Sequence, residues 1–239
     1  MRYFFVSTDL IKDKLITFNP EESHHIRDVL RYVVGDECMC TDGDGTQFRV
    51  KLTKVDATTV AGEITHQEIK KSSSCLTVAQ AYPQKGKMDI IVEKANEMGV
   101  RSLIPLLTER TEVKPNDKQW QKIFERWERI AQQTLKQSHV SQKTEIQSAV
   151  TFKNILKTFS NYDRVYVFHP EAELRVQVER LADEGQSVLA LIGPEGGFSE
   201  HEIEQAKVHH ATVVSLGEEV LKTDTAFVAV VSLLKFLQS

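Results

Sequence analysis

The chain has 239 residues, of which 41% are hydrophobic and 27% charged, and its formal net charge is −4. This composition is that of a globular protein and excludes a chain that is disordered throughout. The negative charge argues against a protein that coats nucleic acid by bulk electrostatic attraction. The N-terminal apolar run is too short for a signal peptide and no uncharged run approaches the length of a bilayer span, so we expect a cytoplasmic protein.

The charge is unevenly distributed along the chain. Residues 84–143 carry a net charge of +4, whereas the segments before and after them carry −2 and −6. A basic segment of this kind is typical of a solvated helical face.

Neither the cysteines nor the histidines indicate metal or disulfide chemistry. Cys38, Cys40 and Cys75 lack C-x-x-C spacing, and the eight histidines are scattered. We therefore expect no disulfide framework and no metal site. Cys38 and Cys40 are two residues apart, which predicts that they share one face of a strand.

The N-terminal third of the chain has the pattern of a small β-rich domain. "RYFFV" predicts a strand, "PEESHHIRDVLR" a short helix, "ECMCTDGDGTQFRVKL" a hairpin around Asp-Gly turns, and "TVAGEITHQEI" a further strand. The polar stretch from Gln67 to Ser74 predicts a linker.

After this linker, apolar runs alternate with helical segments. The strands are expected at "CLTVAQAY", "SLIPLL", "RVYVFHP", "SVLALIG" and "TVVSLG", and helices at "KMDIIVEKANEMG", from Glu200, and at the C-terminus. Short apolar runs separated by helices predict a parallel sheet that is covered on both faces.

Two further helices have informative apolar patterns. In "KQWQKIFERWERIAQQTLKQ" the apolar residues follow helical spacing along one stripe, which indicates either a core helix or a dimer seam. The stripe consists of Trp120, Ile123, Phe124, Trp127, Ile130, Ala131 and Leu135. The final "TDTAFVAVVSLLKFL" is apolar nearly all round, so we expect it to be buried on several sides.

The loop in "LIGPEGGFSEHEIEQA" combines a helix start with a possible ligand site. Ser199 and Glu202 have capping-box spacing, which locally explains the helix start. A glycine-rich turn after a buried strand also lets a ligand approach the backbone, and ligands of open α/β sheets lie beyond the carboxyl ends of the strands. The acids Glu195, Glu200 and Glu202 disfavour a phosphate there. "GEEVLKT" lacks the glycine and the length of a Walker A motif, so both acid-rich turns suit a positively charged ligand better.

Five blocks resemble, in order, the motifs of the SPOUT-class 16S rRNA uridine-N3 methyltransferases, the RsmE-like family. They are "HHIRDVLR", "KGKMDIIVEKANEMGV", "IPLLTER", "LIGPEGGFSEHEI" and "SLGEEVLKTDTAFVA", and they span nearly the whole chain. The last block departs from the family pattern L-G-x-x-[IV]-L-R-x-E-T-A, with Lys222 at the arginine and Asp224 at the glutamate. "KQSHVSQKTEI", from Lys136 to Ile146, stands where the family has a stretch containing Gly-Arg.

The resemblance implies an α/β fold of two domains. Residues 1–72 would form a PUA-like RNA-binding β-barrel, and residues 73–239 a SPOUT methyltransferase domain with a parallel sheet and a deep trefoil knot at about 164–239. The implied cofactor is S-adenosylmethionine, whose positive sulfonium agrees with the acid-rich turns. The implied cofactor-binding residues are Phe168, His169, Pro170, Gly193, Pro194, Glu195, Gly196, Gly197, Leu216, Gly217, Val220, Leu221 and Thr223.

The implied reaction is methylation of N3 of one uracil in 16S rRNA, within the small ribosomal subunit. Because N3 becomes a good nucleophile only when its proton is lost, the protein must position and neutralise the base. Arg110 is expected to hold the uracil or its phosphate, or else to form a structural ion pair. Glu195 is expected to accept the proton or to bind the amino group of the cofactor.

Partners follow from the same resemblance, which implies a homodimer acting on RNA. Phosphate contacts, which supply affinity and register, are expected from Arg2, Arg27, Arg31, Lys85, Lys87, Arg110 and Lys222. Arg27 and Arg31 are one helical turn apart, so they are expected to share a face. Two alternatives remain: a SPOUT RNA methyltransferase with another target, and a ribosome-maturation factor that binds RNA without catalysis.

Overall fold

The computed structural model describes residues 2–70, 74–84, 86–138, 140–175 and 185–236. The chain divides into two compact units, one of residues 1–72 with 131–143 and the other of 73–130 with 144–239. This division differs from the predicted one in segment 131–143, which groups with the first unit. The predicted linker begins later than expected, because residues 67–69 still belong to a strand. No helix in the described ranges is long and apolar enough to span a bilayer.

The first unit is built on one mostly antiparallel sheet. Its strands are β1 (Tyr3–Phe5), β2 (Ile11–Lys12), β3 (Leu15–Thr17), β4 (Glu37–Thr41), β5 (Thr46–Val55) and β6 (Val60–Ile69), in the order β1-β4-β5-β6-β3-β2. The predicted hairpin is confirmed as the antiparallel pair β4 and β5. Cys38 and Cys40 are both buried in the core of this unit, on one face of β4 as predicted.

The predicted helix from Pro20 to Arg31 is shorter in the structure. Helix α1 (Pro20–His24) begins at the side chain of Asn19, which accepts from the Glu22 amide at 2.8 Å, and continues as a π-helical turn, His25–Val29. Arg31 lies beyond this turn with φ of +56°, a left-handed conformation that ends helices. The expectation that Arg27 and Arg31 share a helix face is therefore wrong.

The segment that replaces the family's Gly-Arg stretch pairs with the β4–β5 turn. The carbonyl of Ser141 accepts from the Gly45 amide at 3.1 Å and from the Thr41 hydroxyl at 3.0 Å, and the Lys143 amide donates to the Gly43 carbonyl at 2.7 Å. Just before it, Lys136 forms an ion pair with Glu22, whose side chain is buried. These bonds explain why residues 131–143 group with the first unit.

The second unit contains the predicted parallel sheet, which the described strand pairs confirm. Its strands are β7 (Leu76–Ala81), β8 (Ser102–Leu107), β9 (Glu145–Ile146), β10 (Val150–Thr151), β11 (Arg164–Phe168), β12 (Val188–Ile192) and β13 (Thr212–Val214). The order is β10-β8-β7-β12-β11-β13, with β9 beside β8, and every one of these described pairs is parallel.

Helices cover both faces of this sheet, as predicted. They are α2 (Lys87–Glu97), α3 (Asp117–Ser138), α4 (Phe152–Ile155), α5 (Glu200–Val208) and α6 (Thr223–Phe236), with a 3₁₀ turn at Leu156–Asn161. One apolar cluster joins α2, α6 and part of α3 to the sheet, and a second cluster joins α4 and α5 to it. The core is therefore divided into two layers by the sheet.

The apolar stripe of α3 lies in the protein core. Trp127 is fully buried in the second unit, and its indole Nε1 donates to Asp89 Oδ1 at 3.0 Å. Trp120, Ile123, Phe124 and Ile130 are half-buried against the same cluster. Of the two interpretations of the stripe, the core helix is confirmed.

The last helix, α6, is buried on the sides that face the sheet and α2 and exposed on the remaining side. Phe227, Val230, Val231 and Leu234 are fully buried, whereas Val228 is 38% exposed. In the single chain the sheet and α2 both cover α6, so the predicted burial holds on the sides that face these elements and fails on the side of Val228.

Helix α5 begins with the predicted capping box, which is confirmed. The Glu202 amide donates to Ser199 Oγ at 3.1 Å, and the Ser199 amide donates to Glu202 Oε2 at 3.0 Å. The other carboxylate oxygen of Glu202 accepts from the Glu109 amide at 2.9 Å, which ties the helix start to the loop after β8.

Removing the cap is expected to destabilise the second unit. Ser199→Ala should lower the free energy of unfolding by about 1 kcal/mol, because the Glu202 amide loses its acceptor. Urea denaturation followed by circular dichroism measures this loss. Ser199→Thr, which keeps the hydroxyl, is the control, and equal stability of the alanine variant would contradict the role of the cap.

Candidate functional site

Loops from three neighbouring strands meet at one edge of the parallel sheet. Strands β12, β11 and β13 lie side by side, and the loops at 193–199, 169–175 and 215–222 follow their carboxyl ends. Ligands of parallel sheets bind beyond this edge. A cavity of about 320 Å³ lies there, and it is lined by Lys87, Phe168, His169, Pro170, Ile192, Gly193, Pro194, Glu195, Gly197, Leu216, Gly217, Glu219, Val220, Leu221, Lys222, Thr223 and Ala226.

The residues that the resemblance assigned to the cofactor lie together around this cavity, apart from Gly196. That glycine borders a smaller adjacent space together with Arg110. The sequence reasoning missed Ile192, Glu219 and Ala226 as lining residues. Gly193, Val220 and Thr223, which lie close to them in the chain, were in the predicted set. This proximity in sequence is the signal that could have identified the three missed residues.

Two glycines of the central loop have backbone reasons to be glycine. Gly197 has φ of +70°, which L-residues rarely adopt. A Cβ atom on Gly193 would lie 3.3 Å from the Gly197 Cα, tighter than ordinary contact. At Gly196 the nearest atom to an added Cβ would be Arg110 Cδ at 3.6 Å, an ordinary distance. Among the glycines of this loop, Gly193 and Gly197 are therefore the two at which a side chain would meet crowding or backbone strain.

The carboxylate of Glu195 is held by groups from the start of α2. Lys87 Nζ donates to Glu195 Oε1 at 2.7 Å, and the Gln84 amide lies 3.3 Å from the same oxygen. Burial acts to raise the pKa of Glu195, but the bonds from Lys87 and from backbone amides outweigh it and lower this pKa. The hydrogen bond to Glu195 raises the pKa of Lys87, against the effect of desolvation. Both groups are therefore ionised at neutral pH.

Arg110, in the loop after β8, also contacts the central loop. Its Nη1 donates to the carbonyl of Gly196 at 2.7 Å, while the rest of the exposed side chain borders a neighbouring cavity of about 600 Å³. This second cavity shares His169 with the first. A guanidinium has five N–H donors, so one bond to Gly196 leaves capacity for a further acceptor.

The residues predicted to contact RNA fall in both units. In the first unit, Arg2 and Arg31 are exposed, whereas Arg27 donates to the Asp28 carboxylate and to two backbone carbonyls, with 2.6 Å to that of Ala57. In the second unit, Lys87 and Lys222 line the cavity and Arg110 lies beside it. Lys85 lies outside the described residues.

Asp224, which stands where the family pattern has glutamate, has a buried carboxylate oxygen. Asp224 Oδ1 is buried, and within the described part of the chain it has no hydrogen-bond partner. Its neighbour Thr223 lines the cavity and begins α6. No group of three or more His, Cys, Asp or Glu side chains in the described ranges could hold a metal ion.

Comparison with known proteins gives two matching family models and a set of similar chains. Residues 70–235 match an RNA methyltransferase domain, and residues 18–65 match an RNA methyltransferase PUA domain. The ribosomal RNA small subunit methyltransferase E of Bacillus subtilis is 28% identical over 94% of this chain and 92% of its own length. The protein of the same name from Synechocystis is 29% identical over 92% of this chain and 73% of its own length.

A solved structure resembles the chain over nearly its full length. A methyltransferase from Legionella pneumophila, determined with bound S-adenosylmethionine, has a TM-score of 0.85 and 25% identity, covering 98% of this chain and 96% of that one. The family model for the catalytic domain covers more than half of the residues. This protein therefore belongs to the RNA methyltransferase family, with a PUA-like domain before its α/β catalytic domain.

Proposed function

We propose that this protein transfers the methyl group of S-adenosylmethionine to N3 of one uridine in the 16S rRNA of the small ribosomal subunit. The observation that carries the proposal is the cavity at the carboxyl ends of β11, β12 and β13, with glycine-bearing, acidic loops around it. Relatives named for methylation of small-subunit rRNA support the substrate class.

The cavity fits S-adenosylmethionine in size and in charge. Its volume of about 320 Å³ lies at the lower end of the range of small-molecule sites. Glu195 and Glu219 in its lining are matched by Lys87 and Lys222, which suits a ligand that carries charges of both signs. Gly193 and Gly197, which have no side chains, expose backbone to the cavity. When bound, the cofactor supplies an electrophilic methyl group on a positively charged sulfur.

The side chains of the three loops would hold the cofactor in distinct ways. Phe168, Ile192 and Leu216 offer apolar surface, and Thr223 offers a hydroxyl. Asp224, whose buried Oδ1 lacks a described partner, sits beside Thr223 and could accept a hydrogen bond once the site is filled. These contacts form the proposed cofactor site.

The uracil must lose its N3 proton, and the negative charge that develops must be stabilised. We assign this stabilisation to Arg110, whose guanidinium is oriented by its bond to Gly196. Glu195 is a poor proton acceptor, because its lowered pKa and its bond to Lys87 make it a weak base. Its proposed role is to bind the amino group of the cofactor and to position Lys87.

The wider proposal concerns the assembly in which the protein acts. We propose a cytoplasmic homodimer with a trefoil knot in the region of about 164–239, acting on the assembled small subunit. The half-exposed face of α6 around Val228 supports a partner copy, since an apolar helix favours a covered surface. A target uracil would have to leave its stack to reach the cavity.

Mass spectrometry of rRNA nucleosides tests the proposed reaction. Cells that lack the protein should lose N3-methyluridine from 16S rRNA, and reintroduction of the gene should restore it. If the modification persisted without the protein, another target or another function would have to be assigned. A chain that binds no S-adenosylmethionine in calorimetry would instead be an RNA-binding maturation factor without catalysis.

A further inference from the structure

The exposed side of α3 carries a row of basic residues. Lys118, Lys122, Arg126 and Arg129 are all exposed, and they all belong to the second unit. Their spacing of four, four and three residues places them on one side of the helix, because residues three and four apart are neighbours. At about 1.5 Å per residue the row extends for about 16 Å. We call these four residues the basic stripe.

The basic stripe is little neutralised by the protein itself. Arg126 pairs with Asp89, with 2.8 Å between Nη2 and Oδ1. Lys118, Lys122 and Arg129 form no ion pair with an acid within the described part of the chain. Glu125 lies on the same side of α3 as the stripe, and its carboxylate accepts from the Gln121 side chain at 3.3 Å, whereas Asp117 and Glu128 directly precede Lys118 and Arg129 in the chain. The stripe therefore carries more positive than negative charge, on a chain whose net charge is −4.

The helix beneath the stripe is fixed in place. Its start is capped, since the Gln119 amide donates to Asn116 Oδ1 at 3.0 Å and the Asn116 amide donates to Gln119 Oε1 at 2.8 Å. Its opposite face is anchored by the fully buried Trp127. A membrane partner is disfavoured, because surface helices bind bilayers through an apolar face and here that face is in the core. A rigid row of cations fits a rigid row of anions.

We propose that the basic stripe is an RNA-contact surface of the catalytic unit, which binds consecutive phosphates of the rRNA substrate. A length of about 16 Å matches several phosphates of one strand, given about 3.4 Å of axis per charge in duplex DNA. Such contacts set affinity and register without reading sequence. The inference rests on the proposed rRNA substrate, and it adds a contact surface that the sequence motifs did not indicate.

The test is the salt dependence of binding to labelled small ribosomal subunits purified from cells that lack the protein. Lys118→Glu with Lys122→Glu should weaken binding on the order of tenfold and lower the slope of log affinity against log salt by about two, since each phosphate contact contributes about one. The matched control is Lys153→Glu with Lys157→Glu, two exposed lysines of the same unit that are also four residues apart. This control changes the net charge equally and should stay within about threefold of the unmodified protein.

Removing a negative charge beside the basic stripe is expected to strengthen rRNA binding. Glu125→Gln removes the acid beside the stripe and should tighten rRNA binding about twofold, with a steeper salt slope. Every variant should bind S-adenosylmethionine like the unmodified protein, which shows that the fold is retained.

The outcomes separate this inference from the proposed function. If the unmodified protein binds these subunits and the stripe variant binds equally well, the stripe is not a contact surface. Equal weakening in the stripe and control variants would attribute the effect to net charge and overturn the inference. Failure of the unmodified protein to bind these subunits would overturn the proposed substrate, and the stripe assignment with it.

Discussion

Replacing Arg110 with alanine is expected to slow methyl transfer on the order of a hundredfold, because loss of one preorganised donor to a developing anion has effects of this size. Affinity for S-adenosylmethionine should remain unchanged within about threefold, since Arg110 lies outside the lining of the cofactor cavity. Single-turnover formation of N3-methyluridine measures the first effect, and isothermal titration calorimetry the second.

Arg110→Lys is the informative companion variant. Lysine keeps the positive charge but lacks the planar fork, so it should recover only part of the rate. The bond from Nη1 to the Gly196 carbonyl would also be lost or remade with different geometry. Unchanged methylation by the alanine variant, with cofactor binding intact, would reduce Arg110 to a structural contact of the loop.

The second large effect is expected in the central loop, where neighbouring glycines should respond differently. Gly197→Ala places a Cβ on a residue with φ of +70°, and this conformation costs an L-residue about 1–2 kcal/mol. When the loop relieves this strain by shifting, affinity for S-adenosylmethionine should fall by about five- to thirtyfold. Gly193→Ala should act in the same direction, since its Cβ would lie 3.3 Å from the Gly197 Cα.

Gly196→Ala is the matched control within the same loop. Its φ is not in the left-handed range, and the nearest atom to an added Cβ is Arg110 Cδ at 3.6 Å. Calorimetry should therefore find cofactor affinity close to that of the unmodified protein. If all three variants lost the same affinity for S-adenosylmethionine, the difference in backbone geometry among these glycines would not control cofactor binding.

The local pattern of the sequence was sufficient for most elements of the fold. Alternating apolar runs and helices predicted the parallel sheet, and Ser199 with Glu202 predicted the start of α5. These signals are local, because strand and helix periodicity and capping involve residues a few positions apart. The family motifs predicted most of the residues that line the cavity, because each of the three loops is one continuous stretch of sequence.

Tertiary structure alone decided which distant segments meet. Residues far apart in the chain form the bond from Lys87 to Glu195 and the pairing of Ser141 with the β4–β5 turn. Distant segments also determine which side of α6 stays exposed. The apolar pattern likewise did not indicate that the helix ends before Arg31, which has a left-handed conformation. Periodicity specifies which face of an element is apolar, but the partner of that face is chosen by packing, and packing is a property of the folded chain.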